Sequence, residues 1–315
     1  MKSKLLNFDA LLSCFREQTK LFPDKRTGSN NRYSMTDIAM GAFSVFFTQS
    51  PSFLDHQRTM QENRGENNAT SIFGMDDKLP CDNHIRNQLD PVNPQVVFPV
   101  FDKALSSLES AGYLEDYRFF EDCCLIALDG TWYHSSKKIS CSCCNQIKHR
   151  NGEITYYHSA ITPVLVKPGS DRVISLPPEF ITPQDGETKE DCENAAAKRW
   201  LEKNGLKWGK KGSIILGDDL YSNHPLCSLF KEKGLHFVLV CKPDSHPYLN
   251  EWIKDLEEGV DRFTQEVRHW NPQKKEREIY RYEYANHVPI RDSKDALFVR
   301  SEEHTSELQS PDHLV

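Results

Sequence analysis

The sequence predicts an α/β fold built on a mixed sheet, with three antiparallel strands first and parallel crossovers after. Three observations carry that reading. The run "CCLIALDG" (123–130) is short, continuously apolar and closed by an acid and a glycine, as in a buried strand whose carboxyl end meets a functional edge. Downstream, the segments follow the order strand, strand, strand, helix, strand, helix, strand, the pattern of a sheet with crossover helices. Upstream the signals are helical alone, so the change of character near residue 120 marks the start of a second fold.

In chain order, the opening "MKSKLLNFDALLSCF" places Asn7 and Asp9 inside its apolar pattern, which suits an amphipathic helix better than a signal peptide. "SMTDIAMGAFSVFFTQ" and "NPQVVFPVFDKALSSLESAG" read as further helices, separated by a loose, Asn-rich connection near "QENRGENNATS". Past the first strand, "EITYYHSAITPVLVKP" and "RVISLP" are the second and third. "TKEDCENAAAKRWLEKNG" is a helix with a Thr cap, an acidic first turn, a basic last turn and a closing glycine. "GSIILGDD" is the fourth strand, "HPLCSLFKEKG" a helix and "LHFVLVCKP" the fifth strand. "RFTQEVRHW" and "REIYRYEYANHV" alternate at strand period and begin a β-rich insertion. The expected organisation is a helical region over 1–119, an α/β core over 120–260, the β-rich insertion over 261–299 and a tail over 300–315.

Composition narrows the function classes. The chain has 315 residues, 38% of them apolar, and its longest apolar stretch, "IAMGAFSVFF" (38–47), is half of the roughly 20 residues a membrane span needs. No membrane partner is expected, and the expected location is cytoplasmic. Ten cysteines spread along so long a chain, with no export signal, are expected as reduced thiols. A formal net charge of −7 excludes a uniformly basic nucleic-acid coat. Contact with nucleic acid would rest on local patches, for which "KRWLEKNGLKWGKK" (198–211) and "RHWNPQKKEREIYR" (268–281) are the candidates, each also readable as a solvated face.

The acids at the strand ends carry the chemistry. Asp129 closes the first strand of the core, and Asp218 or Asp219 closes the fourth. Singly, an aspartate at a strand end is an ordinary turn or cap residue. On neighbouring strands, two of them would hold divalent ions: hard oxygen ligands suit Mg²⁺ or Mn²⁺, and two ions about 4 Å apart serve the attacking and leaving oxygens of phosphoryl transfer.

"LIALDGTWYHSS", and "IILGDDLYSN" followed by "LHFVLVCKPDSH", resemble the first and second catalytic blocks of bacterial DDE-type insertion-sequence transposases. "LPPEFITPQDG" and "CENAAAKRWL" are in the style of one group of these enzymes, and the likeness spans roughly 125–299. The resemblance implies an RNase H-like mixed sheet with flanking helices. It also implies water-driven cleavage of double-stranded DNA at the element's inverted-repeat ends, and joining of the freed 3′-hydroxyl to target DNA. A nucleoid-associated location and a homodimer in the synaptic complex go with it. In that family the second Asp opens a D-x-x-Tyr/Phe pattern, which Asp218 with Tyr221 satisfies; Asp219 is the alternative, one residue out of register. The family's third ligand, a Glu on a helix after the insertion, has no identifiable counterpart in the sequence.

The last stretch, "RSEEHTSELQSPDHLV" (300–315), has two readings. One is a charged terminal helix with Ser301 as its cap. The other follows from reverse translation of its first eleven residues, which resembles a sequencing-library adapter read in frame; native sequence then ends near Val299, the third acid is missing, and weak metal occupancy and negligible turnover are expected.

Further candidates are weaker. Cys141 and Cys144 form a C-x-x-C with His134, His149 and His158 not far away, half of a Zn²⁺ site or else a hairpin with unligated thiols. Lys242 is placed to meet a DNA phosphate, Trp270 to stack on a base, and Lys274 and Lys275 to add charge beside it. Two other functions fit the same residues: an RNase H-like nuclease without strand transfer, and a non-catalytic zinc-containing DNA-binding protein.

Overall fold

The computed structural model describes residues 8–28, 31–61, 69–75, 79–182, 192–271 and 276–306. It is mixed α/β and divides into two compact units, Met1–Tyr117 with Ile174–Pro177, and Arg118–Val173 with Pro178–Val315. Among the described residues no helix is long and apolar enough to cross a membrane.

The first unit is helical: α1 (Phe8–Thr19), α2 (Met35–Phe47), α3 (Phe53–Gln61), α4 (Asp82–Leu89) and α5 (Pro99–Ser110). A capping box starts α2, where Ser34 Oγ accepts from the Asp37 amide and the Asp37 carboxylate accepts from the Ser34 amide. Met40 of α2 joins Leu12, Phe73 and Met75 in one cluster, and Ile38 joins Met35 and Ile85 in another. His56 is buried, with Nε2 2.8 Å from Ser44 Oγ, and burial holds its pKa below the usual imidazole range. The connection near 61–71 lies largely outside the described residues.

The second unit opens with β1 (Cys124–Ala127), β2 (Gly130–Ser136), β3 (Asn145–Lys148), β4 (Ile154–Ile161) and β5 (Val164–Val166). The two-residue β6 (Ile174–Ser175) groups with the first unit, and β7 (Glu179–Ile181) returns to the second. Then follow α6 (Glu193–Gly209), β8 (Ser213–Gly217), α7 (His224–Glu232), β9 (His236–Leu239) and α8 (Pro247–Lys254). One sheet contains the run β5-β1-β8-β9, in which β1 is antiparallel to β5 and parallel to β8, and β8 is parallel to β9. A second sheet sets β4 between β2 and β3, with β7 also paired to β4.

Two expectations change here. "EITYYHSAITPVLVKP" is not one strand: it breaks at Thr162–Pro163 into β4 and β5, which belong to different sheets. Pro163 has no N–H for a ladder, and the Thr162 amide instead donates to Asp129 O at 3.0 Å. The expected Thr cap of α6 lies outside the described residues; the residue at that position is Cys192, which makes no side-chain capping bond.

The interior around α6 is aromatic. Trp200, Leu201 and Trp208 are buried, and truncating either tryptophan is expected to cost about 3–5 kcal/mol. The stretch 198–211 contains most of α6, which ends at Gly209, and several of its basic residues have partners: Arg199 Nε lies 2.9 Å from Glu179 Oε1, Lys203 Nζ lies 2.7 Å from Glu179 Oε2, and Lys207 and Lys211 approach the Trp208 ring.

A third sheet joins β10 (Arg262–Asn271), β11 (Glu276–Pro289) and β12 (Phe298–Ser306), all antiparallel. The helix reading of the tail gives way to this strand through Ser306. The 14-residue β11 offers a second edge, Val299 packs with Leu249, Ala285 and Val288, and Arg300 covers the Tyr284 ring at 4.0 Å. Residues 307–315 lie outside the described part.

Candidate functional site

Asp129 and Asp218 follow neighbouring parallel strands. The β1–β8 ladder pairs Ala127 with Leu216, and the Leu128 amide donates to Leu216 O at 2.9 Å, so the register runs on past the strand ends. Carried two residues past the last pair, that register puts positions 129 and 218 level with one another on adjacent strands. Both aspartates are exposed. The Leu220 amide donates to Asp218 Oδ1 at 2.9 Å, which fixes the carboxylate in the turn after β8 without burying it.

A third carboxylate reaches the same edge. Glu193, in the first turn of α6, lies against the backbone of Gly130, the residue after Asp129; a Cβ at position 130 would overlap the Glu193 carboxyl group. Tyr221 OH donates to Glu193 Oε1 at 2.8 Å. This phenol is fully buried, and burial first, then the bond to Glu193 and the charges of Glu193, Asp129 and Asp218, push its pKa far above the ordinary tyrosine value. It therefore stays protonated and donating. A second tie runs parallel to it: Asn223 caps α7 by accepting from the Leu226 amide at 3.2 Å, while its Nδ2 donates to Asn194 Oδ1 at 3.2 Å.

The lateral position of α6 is set further along the helix. Glu179, buried on β7, receives Arg199 and Lys203 from successive turns of α6. Since Glu179 pairs with Ile161, and Ile161 with Gly130, the same clamp sets where the helix start meets β2.

Asp219 faces a different task. Its Oδ1 accepts from the Lys242 amide at 2.6 Å, and His246 Nε2 lies 3.2 Å away without hydrogen-bond alignment. A hydrogen bond from Ser245 first, then the Lys242 amide, hold its carboxyl below the usual range. Asp219 thus ties down the loop after β9, and Asp218 is the acid left exposed at the edge.

The nucleic-acid candidates are dispersed. Lys242 is exposed beside that loop. Trp270 is 57% exposed on β10, opposite Arg277. Lys274 and Lys275 lie outside the described residues.

The C-x-x-C residues meet one histidine of the three considered. Cys141 Sγ and Cys144 Sγ are 3.7 Å apart, and each lies 3.3 Å from His158 Nε2. Among the described residues this is the group of His, Cys, Asp and Glu side chains close enough together to hold a metal ion. His149 Nε2 instead contacts Thr155 Oγ1 at 2.8 Å, and His134 stands beside His158 with ring centroids 5.8 Å apart.

Sequence reasoning missed Glu193. Its only signal was an acid in the first turn of a helix, a preference the helix dipole explains without any further role. No protein-family model matches the chain, and no curated protein matches it.

Proposed function

We propose that the chain is a metal-dependent DNA phosphoryl transferase of the DDE transposase type, built on an RNase H-like core. The observation that carries this reading is the side-by-side placement of Asp129 and Asp218 after adjacent parallel strands, with Glu193 brought to the same edge by Tyr221. The sheet run β5-β1-β8-β9, antiparallel then parallel, supports the core assignment.

The donor set suits hard divalent cations. The side chains offered at this edge are carboxylates, and oxygen donors alone favour Mg²⁺ or Mn²⁺ over thiophilic ions. Asp129 and Asp218 would be the ligands, with Glu193 the third; as the side chains stand, the three carboxylates do not converge within 4.8 Å, which among the described residues Cys141, Cys144 and His158 do, so an ion would have to draw Glu193 in. Bound there, such ions supply the charge that lowers the cost of an attacking oxygen and a leaving oxygen at a phosphodiester. The protein's part is positional: the β1–β8 ladder fixes the two aspartates, the Tyr221 phenol orients Glu193, and Asp219 holds the loop that carries Lys242. Lys242 contributes a point charge to a DNA phosphate, and Trp270 a stacking face beyond the core. The helical first unit serves end recognition and assembly, with inverted-repeat and target DNA as partners and a homodimer as the working form.

The test is nicking of supercoiled plasmid by the full chain in Mn²⁺ or Mg²⁺. Where the missing Glu after the insertion alone implied negligible turnover, the nearness of Glu193 to this edge changes our expectation to metal-dependent nicking, falling by at least about 10²-fold in Asp129→Asn and in Asp218→Asn. Folded protein that does not nick, or nicking unchanged in both variants, contradicts the proposal. Recovery of nicked but never joined products would favour a nuclease of the same fold.

A further inference from the structure

We propose that Cys141, Cys144 and His158 bind one Zn²⁺ ion, separate from the carboxylate edge, which fastens the β2–β3 connection to β4.

The argument is one of distances. With Zn–S near 2.3 Å and Zn–N near 2.05 Å, a tetrahedral centre sets two sulfurs about 3.8 Å apart and each sulfur about 3.6 Å from the nitrogen. The side chains stand at 3.7, 3.3 and 3.3 Å, one face of such a tetrahedron. A disulfide is excluded as the reason for the approach, because 3.7 Å is well beyond a sulfur–sulfur bond of about 2.05 Å. Hydrogen bonding is an incomplete account as well: a neutral imidazole nitrogen offers one lone pair, and here two thiols converge on Nε2. The Cys141 amide also donates to Cys144 Sγ at 3.2 Å, which ties the two cysteines into one turn.

The topology gives the ion a task. β2 and β3 flank β4 on opposite sides, so the chain between Ser136 and Asn145 has to pass across β4. That connection contains no strand or helix of its own. Cys141 and Cys144 lie in it, and His158 is on β4, opposite His134. Two soft thiolates and one imidazole suit Zn²⁺, where three carboxylates do not. Water completes the tetrahedron, since Cys143 is not among the residues whose ligand atoms converge.

The experiment is metal analysis of the full chain purified under reducing conditions, with Co²⁺ substitution as the spectroscopic readout. About one zinc per chain is expected. The cobalt form should show tetrahedral d–d bands and thiolate-to-cobalt charge transfer. Cys144→Ser and His158→Gln should each lose the stoichiometric metal and the charge-transfer band of the native centre. Cys143→Ser, Cys81→Ser and Asp218→Asn should keep both, which separates this centre from adventitious thiols and from the carboxylate edge. Should a ligand variant fail to fold, chelation of zinc from the unmodified chain, with return of the spectrum on adding Co²⁺, is the substitute measurement. The proposal is overturned by folded, reduced protein that takes up neither Zn²⁺ nor Co²⁺. A stoichiometry unchanged in both ligand variants, or lost in Cys143→Ser, likewise overturns it.

Discussion

The second unit holds the two groups of side chains that we propose as metal ligands, built in opposite ways. The carboxylate edge draws Asp129, Glu193 and Asp218 from two strand ends and a helix start, and its geometry depends on long-range pairing of β1 with β8 and on the seating of α6. The thiol–imidazole group takes two of its three ligands from one four-residue turn, closed by the Cys144 amide donating to Cys141 O at 3.2 Å, and only His158 from elsewhere. The first offers hard oxygen donors, with Asp129 and Asp218 exposed. The second is soft, with Cys144 buried. Ligand chemistry and backbone origin thus set the two proposed centres apart.

Changes that act on one group and spare the other sharpen this contrast. The largest effect is expected from Gly130→Ala. The new Cβ meets the Glu193 carboxyl group and displaces it from the edge, so nicking should fall about 10²-fold, the scale of an ångström-level misplacement. The cobalt spectrum should not change; nicking at the unmodified rate would show that Glu193 has no part in the centre.

Glu179→Ala comes next, since it releases the clamp that seats α6. Arg199 and Lys203 keep side-chain exposures of 31% and 50%, so neither is left as a fully buried charge, and the loss should be about 2 kcal/mol rather than the larger cost of breaking a buried pair. Urea unfolding measures it, and a loss under about 0.5 kcal/mol would place the pair among ordinary surface ion pairs.

The smallest expected effect is one of pH. The Asp219 carboxyl is held below its ordinary value by Ser245 and the Lys242 amide. A depressed folded-state pKa contributes stability above the unfolded value of about 4, and that contribution is lost as pH falls through the folded pKa. The Lys242 amide resonance should accordingly keep its bonded position from neutrality down to about pH 4 and shift only below that. Asp219→Asn should abolish the transition, and a midpoint above about pH 5 would contradict the assigned contacts.

Much of the core was legible because strand signals are local. "CCLIALDG" and "GSIILGDD" each carry their apolar run and terminal acid within eight residues, and the structure sets them side by side. What stayed hidden depended on tertiary packing. Glu193 reads as a helix-start acid until Glu179 and Tyr221 decide where that helix sits. His158 is one of three nearby histidines, and the pairing of β4 with β2 and β3 selects it. The break at Thr162–Pro163 was written in the proline, yet its consequence, two sheets in place of one continuous strand, is set by β4 pairing with β2 while β5 pairs with β1. The polar segment 300–306 had no strand signal of its own; the free edge of β11 supplies the reason for one.

The most direct measurement of the central claim is anomalous diffraction from crystals of the full chain soaked in Mn²⁺. The account expects a manganese peak within about 2.1 Å of a carboxylate oxygen from both Asp129 and Asp218, lost in Asp218→Asn. A peak bound by Asp219 instead, or none shared by Asp129 and Asp218, would contradict it.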